Sequence, residues 1–142
     1  MIVSGACALV IGGAILFFLL KPADSAQRAT AGPVVGGPVA DFSLPALSGR
    51  QTALHEFLGH PMLLQFWAVD CPSCAAERPA LLRAAAPFVA KGGLAIGVDA
   101  YMENADMVRA YLTDHREPYT TILIDAAGSV VYGKFHIGGV PT

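Results

Sequence analysis

Met62-Leu63-Leu64-Gln65-Phe66-Trp67-Ala68-Val69-Asp70-Cys71-Pro72-Ser73-Cys74-Ala75-Ala76-Glu77-Arg78 is the stretch that decides the fold. Residues 62–68 are apolar on both faces apart from Gln65, the pattern of a strand buried in a doubly covered sheet. Pro72 suits the first position of a helix, where its missing N–H is not needed, and the following residues predict a helix running to about residue 89. The C-x-x-C pair, Cys71 and Cys74, therefore falls at a strand-to-helix junction, the sequence form of a dithiol redox centre. A helix start offers unpaired N–H groups and a partial positive charge, and both favour a thiolate.

Outward from this core the chain alternates. Phe42-Ser43-Leu44 and Gln51-Thr52-Ala53-Leu54 flank Ser48-Gly49 and predict a hairpin, with a helical turn over 55–58. Gly92-Gly93 ends the helix, which Pro79 should kink. Residues 94–98 predict a second buried strand, 104–115 a helix with Met107, Val108, Tyr111 and Leu112 on one side, and 121–124 a third strand. Asp125 heads a turn, and Val130-Val131-Tyr132 with Phe135 forms a last short element. Strands alternating with helices imply an α/β sheet covered by helices.

The 142 residues leave room for a leading segment and one domain of roughly a hundred residues. A net charge of −2 carries no basic footprint, which argues against nucleic acid as a partner. Residues 1–20 hold no charge and end at Lys21-Pro22, and about 20 apolar residues suffice to cross a bilayer. They are expected to be an uncleaved transmembrane anchor, with a signal cleaved near Ala23-Asp24-Ser25-Ala26 as the alternative. Lys21 and Arg28 after the span would by charge alone hold the domain in the cytosol. Cys7 lies inside the span and is read as a small membrane-helix residue. Residues 21–40, rich in Ala, Gly and Pro, read as a flexible tether, and the folded domain as 41–142.

Phe66-Trp67-Ala68, Cys71-Pro72-Ser73-Cys74, Glu77, Pro79 and Gly139-Val140-Pro141-Thr142, with Asp41-Phe42-Ser43-Leu44 at the domain start, resemble the thioredoxin-like proteins of the TlpA/ResA group. The resemblance implies a thioredoxin-like fold and a membrane-tethered thiol–disulfide oxidoreductase facing the periplasm. It implies disulfide-bearing client proteins, often in cytochrome c maturation, and a membrane thiol protein as electron donor. No cofactor beyond the Cys71–Cys74 disulfide is implied, and no metal. Asp70 stands where the group often has Trp, and its carboxylate should disfavour a thiolate at Cys71. In the thioredoxin fold two more strands and a helix follow the proline loop, so the domain reads as C-terminally incomplete at Thr142.

Cys71 is the expected nucleophile and Cys74 the resolving thiol, with Pro72 and Ser73 shaping the motif. Glu77, three residues after Cys74, shares its helix face; partly buried there, with its pKa raised, it would take the Cys74 proton. Pro141 matches the cis proline of thioredoxin folds, placing Val140 to pair with an extended substrate strand. Trp67 packs under the site or stacks on substrate. His115 and His136 read as solvated or capping.

Three other chemistries compete for the same cysteines. A zinc site would need His55 or His60, but at about 3.3 Å per residue the strand puts His60 some 20 Å from Cys71. A peroxiredoxin would need Pro-x-x-x-Thr-x-x-Cys, and Leu64 and Ala68 occupy those positions. A tethered module binding unfolded protein or copper through its thiols, without turnover, is the third.

Overall fold

The computed structural model describes residues 36–101 and 103–142. The expected anchor, Cys7 and most of the tether lie outside the described residues. Three parallel strands form the sheet in the order β3, β4, β5: β3 is Met62–Trp67, β4 Leu94–Asp99 and β5 Thr121–Ile124. Before them a short antiparallel hairpin pairs β1, Ser43–Pro45, with β2, Gln51–Ala53. A 3-10 turn over Leu54–Phe57 leads from it into β3. Helix α1, Pro72–Ala90, connects β3 to β4 and continues through Pro79 and Pro87. Helix α2, Ala105–Asp114, connects β4 to β5, with Asn104 accepting the amides of Asp106 and Met107 at 3.0 Å as its N-cap.

Register fixes the two faces. Phe66, Val98 and Leu123 are neighbours on one face and pack with Phe42, Leu44, Val130, Val131 and Phe135. Trp67 and Ile124 point to the other, where they pack with Cys71, Cys74 and Val108. Helices were expected on both faces. Among the described residues α1 and α2 contribute to the second cluster alone, while the hairpin and the segment after β5 cover the first. Both crossovers step in one direction, β3 to β4 to β5, and right-handed connections then place both helices on the same side.

The segment read as a final short element folds as a π-type helix, Ser129–Lys134. Its start is tied to Asp125, whose Oδ1 accepts the Ser129 amide at 3.0 Å and whose Oδ2 accepts the amides of Val130 and Val131 at 2.9 Å. Gly128 supplies the left-handed residue that turns the chain there, at φ 65°. The hairpin docks on β5 through the Leu47 amide, which donates to the Ile122 carbonyl at 2.9 Å. On the far edge of the sheet, Phe66 and Thr142 exchange hydrogen bonds of 2.8 and 3.2 Å, an antiparallel pair beside β3.

Candidate functional site

β3 delivers the chain into α1 through Ala68-Val69-Asp70, so both cysteines lie at the carboxyl end of the sheet. Cys71 is the N-cap of α1, in extended conformation, and its Sγ accepts the Cys74 amide at 3.1 Å. Pro72 follows at the first helical position and needs no partner for the N–H it lacks. Cys71 and Cys74 are joined as a disulfide and are 7% and 9% exposed. An open groove of about 640 Å³ runs past Cys71, lined also by Asp70, Pro72, Arg78, Tyr111 and His115.

The proline loop reaches the same sulfur. The Val140–Pro141 bond is cis. The Val140 carbonyl lies 3.8 Å from Cys71 Sγ, a van der Waals contact because a disulfide sulfur carries no hydrogen. The Ser73 hydroxyl joins the two segments, 3.4 Å from Cys71 Sγ and 3.4 Å from the Val140 oxygen. Residues 69 positions apart in the chain thus meet at one sulfur.

Trp67 is 1% exposed, packed between the rings of Tyr111 and Tyr119 at 5.7 and 5.4 Å. Of the two roles expected for Trp67, this burial fits packing under the site and leaves no face for stacking on substrate: β3 turns the indole inward. Tyr119 donates to Gln65 Oε1 at 2.8 Å, and burial pushes its hydroxyl pKa up. Glu77 is exposed, which corrects the expected partial burial. The packed stripe of α1 passes through Cys74, Arg78, Leu81 and Ala85, so Arg78 takes the inward flank and Glu77 the outward one. Arg78 donates through Nε to Glu117 Oε1 at 2.6 Å, with its guanidinium 5.3 Å from the Tyr111 ring centre. The Tyr111 hydroxyl donates to the same carboxylate at 2.9 Å. Burial raises the Glu117 pKa, and Arg78 opposes that shift.

His115 and His136 are exposed as expected, and His115 stacks on Tyr111 with ring centres 4.2 Å apart. His55 pairs with Asp41 at 2.8 Å, and the His60 ring faces the Gly92 carbonyl. Among the described residues no three metal-ligating side chains come together.

Two buried acids escaped the sequence reading. Glu103 Oε2 accepts the Val69 amide at 3.0 Å, tying the turn after β4 to the loop that carries Cys71. Asp99, fully buried at the end of β4, has its carboxyl pushed up to about 7 by burial first and by the neighbouring Glu103 second. The available signal was position: both follow the carboxyl end of a buried strand, where α/β sheets place their ligand-facing groups.

An α/β sheet with a helix-capped C-x-x-C disulfide facing a cis proline defines the thioredoxin-like class. Residues 35–138 match the AhpC/TSA family, and the chain belongs to that family. It is 34% identical over 119 residues to the thiol:disulfide interchange protein DsbE of Haemophilus influenzae, covering 79% of this chain and 62% of that protein. It is 31% identical over 108 residues to the thioredoxin-like protein YneN of Bacillus subtilis, covering 75% and 62%. The thioredoxin domain of a thiol-disulfide oxidoreductase from Bacteroides vulgatus superposes with a TM-score of 0.63 at 27% identity, covering 75% of this chain and 76% of that one. The chain spans about 62% of the length of these two curated relatives.

Proposed function

We propose that this chain is a membrane-tethered thiol–disulfide oxidoreductase that reduces disulfides of extracytoplasmic proteins, cytochrome c maturation among its settings. The observation that carries this is the Cys71 sulfur at the helix N-cap, holding the Cys74 amide at 3.1 Å and facing the Val140 carbonyl. A thiolate at that position inherits the N–H donor and the positive end of the helix.

In the reduced protein the Cys71 thiolate attacks one sulfur of a client disulfide. A Cys71–client bond forms, the client's S–S bond breaks, and the second client sulfur leaves as a thiolate. Val140, through its carbonyl and the cis Pro141 beside it, aligns the client backbone. Cys74 then gives up its proton to water, with the exposed Glu77 one turn further along α1 proposed to receive it from there, and attacks Cys71 Sγ. The Cys71–Cys74 bond closes and the client leaves as a dithiol, two electrons richer. A membrane thiol protein returns two electrons to the pair. Trp67 serves this cycle as packing beneath the cysteines, and Pro72 and Ser73 by fixing the helix entry.

Replacing the resolving thiol tests the scheme. Cys74→Ala should accumulate reductant-sensitive covalent adducts with client proteins through Cys71, and Cys71→Ala should form none. A thiol module that only binds its ligands would give no covalent adduct in either variant.

A further inference from the structure

Reducing a disulfide takes up protons as well as electrons, so proton-holding groups near the cysteines govern how exchange depends on pH. Residues in register on parallel strands point to the same face. Trp67, Asp99 and Ile124 form such a row across the carboxyl ends of β3, β4 and β5. The two outer members pack in the same buried cluster as Cys71 and Cys74. Asp99, with no exposed surface, is the carboxyl in the middle.

Asp99 Oδ1 accepts the Tyr101 amide at 3.4 Å, while Oδ2 meets no donor among the described residues. The group beside it is Glu103, 7% exposed, whose Oε2 accepts the Val69 amide. Two carboxylates cannot satisfy each other, and a buried acceptor without a donor is destabilising. A proton on Asp99 eases the conflict, because a neutral carboxyl can donate to the neighbouring Glu103 carboxylate. Among the described residues the surroundings offer no other remedy. Asp125, from the end of β5, adds a further negative charge, and its own oxygens are taken by residues 129–131. From α2 the cluster receives Val108 and Tyr111. From α1 comes Arg78, which is bonded to Glu117 instead.

We propose that Asp99, protonated against Glu103, is a positioning residue of the exchange: its proton keeps Glu103 on the Val69 amide, steadying the loop that carries Cys71, and couples reduction of the disulfide to proton uptake. The inference rests on the oxidoreductase reading above. Reduction to two thiols consumes two electrons and two protons. Where Cys71 stays a thiolate, the cysteines take only one proton. That new negative charge near Asp99 strengthens its hold on a proton. Where Asp99 is partly ionised in the oxidised protein, reduction therefore draws an additional proton onto its carboxyl. Burial and Glu103 push that carboxyl up to about 7, which places the effect near neutrality.

The test is the midpoint potential of the full chain, equilibrated with reduced and oxidised glutathione between about pH 5 and about pH 9, either side of the carboxyl's titration. Wild type should show a steeper potential-against-pH slope near neutrality than Asp99→Asn, the difference approaching one proton per two electrons. Glu103→Gln keeps an acceptor for Val69 but removes the facing charge, so the inflection should move to lower pH. Asp114→Asn, an exposed acid at the end of α2, should overlay wild type. Coinciding slopes for wild type and Asp99→Asn overturn the inference. If Asp99→Asn does not fold by circular dichroism, Glu103→Gln decides, and an unmoved inflection overturns it. Failure of the cysteines to exchange with glutathione at any pH overturns the oxidoreductase reading and this inference with it.

Discussion

At Cys71 the polar environment is set by backbone placement: an amide three residues on and a carbonyl 69 residues on both meet its sulfur. Asp99 is the contrasting case, a carboxyl whose character comes from its neighbours. Its pKa rises on folding from 3.8 to about 7, so the folded state binds more protons than the unfolded chain in that interval. Its contribution is therefore fully present below about pH 4 and lost as pH rises through about 7, a decline of at most a few kcal/mol. The urea midpoint of the chain should fall between about pH 5 and about pH 8, and Asp99→Asn should flatten that slope. An unchanged slope in the variant would assign the decline elsewhere. Asp41 has the opposite sign: its hydrogen bond to His55 lowers its pKa, and that contribution is lost as acid protonates it. Being more than half exposed, that pair adds little. The cysteine pair and the turn-forming Asp125 were legible in the sequence because each acts on residues close in the chain. Glu103 was not, because its partner Val69 lies 34 residues away. Glu77 was misjudged because helical spacing gives angular proximity to Cys74 without saying which flank is packed.

Among the elements, β3, β4 and β5 announced themselves as short apolar runs, and their bounds differ from the expected ones by a residue at most. Helix α2 was equally plain, with a side-chain N-cap and a repeating apolar stripe. The π-type helix was hidden, since it depends on the Asp125 carboxylate collecting amides four to six residues ahead. The covering of the sheet was hidden too, because handedness of connection is a property of the assembled strands. Gly97 shows how closely the layers meet on the helix-covered face. A Cβ there would lie 2.7 Å from the Tyr119 ring and 2.8 Å from Trp67 Nε1. Gly97→Ala should therefore destabilise the chain by about 1–3 kcal/mol, the usual cost of overpacking. It should also perturb Trp67 fluorescence. Denaturant unfolding followed at Trp67 reads both effects, and a wild-type midpoint would mean that the rings move aside freely.

For the molecule as a whole, no helix among the described residues is long and apolar enough to cross a membrane, so the proposed tether rests on residues 1–20, outside that region. The chain expressed in bacteria should sediment with membranes, resist extraction by salt and be released by detergent. A variant lacking residues 1–40 should appear in the supernatant, and wild-type chain found there instead would remove the tether from the proposal. The thioredoxin-like class was readable before any coordinates because its dithiol and its proline, though far apart in the chain, each carry a local motif. The assembled fold adds a limit on access. Cys71 is only 7% exposed and borders an open groove shared with Asp70, Arg78 and Tyr111. In the proposed cycle a client disulfide carried on a slender loop or a still unfolded stretch would reach it more readily than one lying flush with a large rounded surface. Access would then sort clients by shape before any electron moves.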